Sequence, residues 1–151
     1  MKKVFVVLVV LFVLGSGAVF AQVSDTAQLV LSGVIGPYVN ITITPAPAAG
    51  NLNLNVAQTN LLVGTAVEVS NVPYNVSASS VNGFEFTNGP ESHPYELFYA
   101  GQAVSQGADI FGASQSATVG QNREIRVTYA AALGIPSGTY TDEVTFTIEQ
   151  Q

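Results

Sequence analysis

Almost every apolar stretch after residue 38 repeats with a period of two. Val39, Ile41 and Ile43 alternate with Asn40, Thr42 and Thr44; Leu52, Leu54 and Val56 alternate with Asn51, Asn53 and Asn55. Val67 and Val69 flank Glu68. Tyr74, Val76 and Ala78 alternate with Asn75, Ser77 and Ser79. Phe84 and Phe86 flank Glu85, and Tyr95, Leu97 and Tyr99 follow. Ile125, Val127 and Tyr129 alternate with Glu124, Arg126 and Thr128. Side chains point to opposite faces along a β-strand, so each run predicts a half-buried strand with one wet face. Turn signals separate the runs: "PAPAAG", "SNVP", "VNG", "TNGPESHP", "AGQ" and "GIPSG". No segment carries a helical stripe, and "TYAAALG" suits one helical turn at most. Eight or more short strands with polar outer faces predict an all-β, antiparallel β-sandwich, with a closed barrel as the alternative from strand count alone. Short strands and a Glu-Gln-Gln end argue against a membrane barrel.

The other end of the chain is different. "MKKVFVVLVVLFVLGSGAVFAQ" places Lys2 and Lys3 before an apolar run from Val4 to Leu14, then small residues and a cleavage-like Val19-Phe20-Ala21. Residues 1–21 read as a secretory signal peptide. The run is short for a membrane span and no second one follows, so no membrane insertion of the mature chain is expected. The expected location is exported: periplasm, cell surface or extracellular. The sequence contains no Cys, which excludes both a lipoprotein anchor and disulfides, so the exported domain holds together by packing alone. Removing the leader leaves Arg123 and Arg126 as the only strong bases against ten carboxylates. Such a surface is wrong for nucleic acid or anionic membranes, which require positive charge.

The last run, "GTYTDEVTFTIEQQ", places Val144, Phe146 and Ile148 on one side and Thr145, Thr147 and Glu149 on the other. A strand this apolar on one face reads as interior, and an interior strand needs two neighbours. In an immunoglobulin-like sandwich, the strand that begins at a tyrosine corner is followed by one more along its edge. Tyr140 follows the "IPSG" turn, where a corner tyrosine sits, and two residues after Glu149 the sequence ends. The unallocated strand-like segment is N-terminal, "QVSDTAQLVLSG", with Val23, Ala27, Leu29 and Leu31 in one parity row and Asp25 as the exception in it. Gly33, Gly36 and Pro37 then permit a change of direction. The expected organisation is a leader at 1–21, a donor-strand-like arm at 22–32 and an immunoglobulin-like sandwich at 33–151.

Two stretches carry a family resemblance. "LVLSGVIGPYVNITI" (29–43) resembles the donor arm and first strand of bacterial fimbrial (pilin) subunits of the chaperone–usher and spore-coat-U-like kind. "IPSGTYTDEVTFTI" (135–148) resembles their terminal strand, in which Gly-x-Tyr-x-Asp precedes alternating apolar residues. "VEVSNVPYNVSASSVNGFEF" (67–86) loosely resembles an intervening strand and turn. The chain departs from many such subunits in lacking a Cys pair on the first strand. The resemblance implies an incomplete sandwich completed by a donated strand. Val23, Ala27, Leu29 and Leu31 would be the knobs, and Val144, Phe146 and Ile148 part of the groove. Tyr140 and Asp142 would form the structural corner. The implied partners are further copies of the chain or related subunits, and a periplasmic chaperone. Main-chain pairing with alternate side chains in pockets is β-augmentation, and head-to-tail donation that does not close gives a filament.

The catalytic inventory is thin. His93 is the one histidine, between Pro90 and Pro94; without Cys it builds no zinc cluster, and it reads as an ordinary residue of a loop or strand edge. No serine has nucleophile-elbow spacing, and the glycines form no phosphate-binding fingerprint. The carboxylates sit singly on positions that read as solvated faces. Asp142 differs: it shares a parity row with Tyr140 and Val144, and caps the strand start through nearby backbone N–H groups. "NIT" (40–42) and "NVS" (75–77) are formal glycosylation acceptors. The expectation is a non-enzymatic protein with no cofactor and no metal. The alternative is a self-complemented monomeric adhesive or carbohydrate-binding module for a surface glycan. Its platform would come from the aromatics near 83–101, with Phe98 and Phe111 exposed together.

Overall fold

The alternating runs become nine strands in a computed structural model that describes residues 24–151. The predicted leader, together with Gln22 and Val23 of the arm, lies outside the described residues. The strands are β1 (Val39–Pro45), β2 (Gln58–Ser70), β3 (Tyr74–Ser80), β4 (Glu85–Asn88) and β5 (Glu91–Pro94). After them come β6 (Glu96–Tyr99), β7 (Gln102–Ala103), β8 (Thr118–Tyr129) and β9 (Val144–Gln150). The one helical element among the described residues is a 3₁₀ turn at Pro47–Gly50, where Pro47 begins a turn it cannot obstruct. Residues 128–134 form no helix.

All ladders between named strands are antiparallel. One sheet runs β1-β2-β8-β6-β7; β3 pairs with β9, and β4 with β5. The β4–β5 hairpin closes through Gly89 and Pro90. Gly89 has φ +63°, the left-handed geometry a two-residue hairpin needs at its first central position. On its edge away from β9, β3 bonds to the 105–115 segment: Gly107 N to Ala78 O, Ile110 N to Val76 O, and a reciprocal pair between Tyr74 and Gln115. One core gathers Tyr74, Val76 and Ala78 of β3, Leu97 and Tyr99 of β6, Ile125, Val127 and Tyr129 of β8, and Phe86 of β4. Residues Ile35–Gln151 form one compact unit. Residues 24–34, described by themselves, carry no helix or strand and are exposed throughout.

The structure corrects several expectations. Asn51–Val56 alternates in sequence but joins no ladder; Leu52 and Leu54 still pack on the core, while Val56 is exposed. Phe84 is not a strand residue. Its φ of +65° belongs to the turn before β4, where Ser80 Oγ accepts its N–H and its ring meets Tyr95 edge-on. The largest correction lies in β2. The alternation predicted Val67 and Val69 inward and Glu68 outward, yet Ala66, Glu68 and Ser70 are buried and the two valines only half-buried. A break in the β2–β8 register between Leu62 and Gly64 explains this. One extra residue in a strand moves every later side chain to the other face. Upstream of the bulge Leu61 and Val63 face the core; downstream the even-numbered residues do. Gly64 suits the site, since a Cβ there would lie 3.2 Å from Thr44 O.

Candidate functional site

The β9 edge is built from one parity row. Val144, Phe146 and Ile148 pack on the core but remain half-buried, whereas Thr145, Thr147 and Glu149 are exposed. The paired row on β3, Val76, Ala78 and Ser80, is at most 5% exposed. The difference comes from neighbours. β3 is bonded along both edges, while β9 bonds only to β3 among the described residues. β1 likewise bonds only to β2, and it lies against β9 without ladder hydrogen bonds between them. Val39 and Ile41 of β1 also pack on the core. Two open strand edges therefore flank a partly covered apolar row. Each leaves half its backbone N–H and C=O groups unpaired by protein, the feature that templates pairing with another strand.

The arm residues are the converse. Leu29 is 81% and Leu31 83% exposed, and Ala27 is exposed as well. Val23 lies outside the described residues.

Two polar clasps hold the start and the back of β9. At the start, Tyr140 donates its hydroxyl to Pro136 O at 2.8 Å, folding the corner back on itself. Asp142 accepts four hydrogen bonds. Oδ2 takes Ser80 Oγ and the Tyr95 hydroxyl, both at 2.6 Å; Oδ1 takes the N–H groups of Asn82 and Glu143 at 3.1 and 2.8 Å. The carboxylate thus ties the beginning of β9 to the turn after β3. Burial, then the hydrogen bond to Asp142, pushes the Tyr95 phenol well above its ordinary value.

Behind β9, Phe146 lies 5.4 Å from Tyr99, ring to ring, and Tyr99 leads to a charge in the core. Glu68 is fully buried. Its Oε1 accepts the Tyr99 hydroxyl at 2.5 Å, and its Oε2 accepts the Tyr74 hydroxyl at 2.7 Å and Arg123 Nε at 3.1 Å. Arg123 also donates to Gln115 Oε1 and lies 4.8 Å over the Phe111 ring. Burial and Glu68 together push the Tyr74 phenol up to about 12 and raise Tyr99 as well. Reading the carboxylates as solvated missed this cluster. Neutral-looking alternation hid Glu68, and only the bulge turns it inward. Nothing in the sequence pairs Glu68 with Arg123; the β2–β8 ladder brings them together.

The other singled-out residues fall elsewhere. His93 lies on β5 and is buried, its Nε2 at 2.8 Å from Ala130 O, so it is a packed strand residue rather than a loop one. Phe98 is half-buried and Phe111 packs on the core, so the pair forms no exposed platform. Asn40 and Asn75 of the two acceptor sequences are both half-buried on strands.

A separate cleft of about 960 Å³ opens between residues 49–55 and 132–142, with Phe86 and Tyr140 among its lining residues. The backbone bond from Ala132 N to Leu54 O joins the two walls. A Cβ at Gly138 on one wall would displace the end of the exposed Asn88 side chain. Among the described residues, no group of three or more His, Cys, Asp or Glu side chains is placed to hold a metal ion. No family model and no curated protein compared with this sequence matches it.

Proposed function

We propose that this chain is an exported, pilin-like structural surface subunit that assembles by strand complementation. In this reading the described unit is an immunoglobulin-like sandwich short of one strand. The N-terminal arm of another copy lies along β9, and Ala27, Leu29 and Leu31, with Val23, enter the apolar row of Val144, Phe146 and Ile148. The observation that carries the reading is the contrast between β3 and β9. The same core row is sealed on β3 and half-open on β9, beside an unpaired edge. The exposed arm has matching alternation. Main-chain bonds supply the pairing and alternate side chains the register. The resemblance of residues 29–43 and 135–148 to fimbrial subunits supports the same reading, as do the acidic surface and the leader-like start. Donation from each copy to the next, without closure, yields a filament.

The test is the native mass of residues 22–151 against a chain beginning at Val34. Ladders on unboiled SDS gels that vanish when the arm is removed establish donation between copies. A stable monomer of 22–151 that loses its fold when the arm is cut refutes it in favour of an arm folded onto its own domain.

A further inference from the structure

We propose that the cleft between residues 49–55 and 132–142 binds neutral carbohydrate. The inference stands apart from strand complementation, because the cleft lies outside the half-open row of β9. Its volume, about 960 Å³, lies at the upper end of the range of small-ligand sites.

The chemistry of the walls selects the ligand. One wall carries Asn51, Asn53 and Asn55, all exposed, in alternation with Leu52 and Leu54, whose side chains pack on the core. That packing holds the segment with the three asparagines outward, and the Asn55 N–H donates to Asn53 Oδ1 within the turn that Val56 N closes on Asn53 O. The side-chain amides of Asn51 and Asn55 engage no hydrogen bond among the described residues, and each offers both donor and acceptor groups. The opposite wall is lined by Ser137, Thr139 and Tyr140 together with the apolar Leu133 and Ile135.

Paired donors and acceptors beside an aromatic ring match the vicinal hydroxyls and C–H faces of a sugar. No base lines the cleft, so nothing there compensates an anionic ligand. The one charged lining residue, Asp142, has both oxygens bonded within the protein.

The experiment is calorimetric titration of the purified, exported full chain with maltohexaose, cellohexaose and mannohexaose, and with hexagalacturonate as an anionic control. The expected result is saturable binding of at least one neutral hexasaccharide and none of the uronate. The double variant Asn51→Ala/Asn55→Ala should weaken that binding roughly tenfold or more. Its melting temperature should match that of the unaltered chain, since both side chains are exposed. Gln121→Ala, on β8, should leave binding unchanged. No heat with any neutral sugar overturns the proposal, as does equal binding of the uronate. Binding that survives the double variant overturns this site. A synthetic peptide of residues 22–35 that binds, and is lost in the same double variant while the sugars give no heat, assigns the cleft to the arm instead.

Discussion

Replacing Glu68 by Ala leaves two tyrosine hydroxyls in the core without an acceptor. Tyr74 is 1% exposed and Tyr99 0%, so water reaches neither. An orphaned buried hydroxyl costs about 1–3 kcal/mol. Arg123 contributes less to the loss, since it is partly exposed and keeps Gln115 Oε1. Breaking a buried charge pair by removing one partner costs about 3–5 kcal/mol, and the cluster falls in that range. Against a total stability of about 5–15 kcal/mol this is a large fraction. It corresponds to a melting temperature lower by about 10–20 °C for a domain of this size. The discriminating measurement is a mutant cycle by urea denaturation. Tyr74→Phe and Tyr99→Phe, each harmful in the parent chain, should become nearly neutral or stabilising in the Glu68→Ala background, because they remove the orphans. A loss below about 1 kcal/mol for Glu68→Ala would refute the reasoning. So would tyrosine substitutions with the same cost in both backgrounds.

Other outcomes follow from the same geometry. Leu29→Asn with Leu31→Asn should weaken arm-dependent assembly by about 3–6 kcal/mol, since each leucine forfeits about 1.5–3 kcal/mol of burial; sedimentation of the variant should show dissociated subunits with unchanged circular dichroism. Stability should be full below pH 10, the ordinary tyrosine value, and fall as pH rises toward about 12, because Tyr74, Tyr95 and Tyr99 hold their protons more tightly folded than unfolded. A urea midpoint unchanged from about pH 8 to about pH 11 would sink that reading. Asp142→Asn places an amide donor among four donors and should cost about 2–4 kcal/mol, read by thermal unfolding. Tyr140→Phe loses the single bond to Pro136 O and should cost about 1 kcal/mol.

Much of this protein was legible in its sequence, for a physical reason: period-two alternation is local. Tyr74–Ala78, Leu97–Tyr99, Ile125–Tyr129 and Val144–Ile148 became strands with the expected faces inward, because nothing interrupts their pleat. The turn residues between them carry their conformations with them, as Gly89 does at φ +63°. Tertiary structure decided what depends on partners far along the chain. The bulge at Leu62/Gly64 forms between β2 and β8, and it turns Glu68 from a surface carboxylate into the centre of a buried cluster drawn from β2, β3, β6 and β8. Leu52 and Leu54 alternate like a strand, yet they pack on the core without a ladder, held by the backbone bond from Ala132 N to Leu54 O. The half-open row of β9 was likewise a question of neighbours. Alternation marks Val144, Phe146 and Ile148 as apolar, but how far they are covered depends on which strands lie on either side.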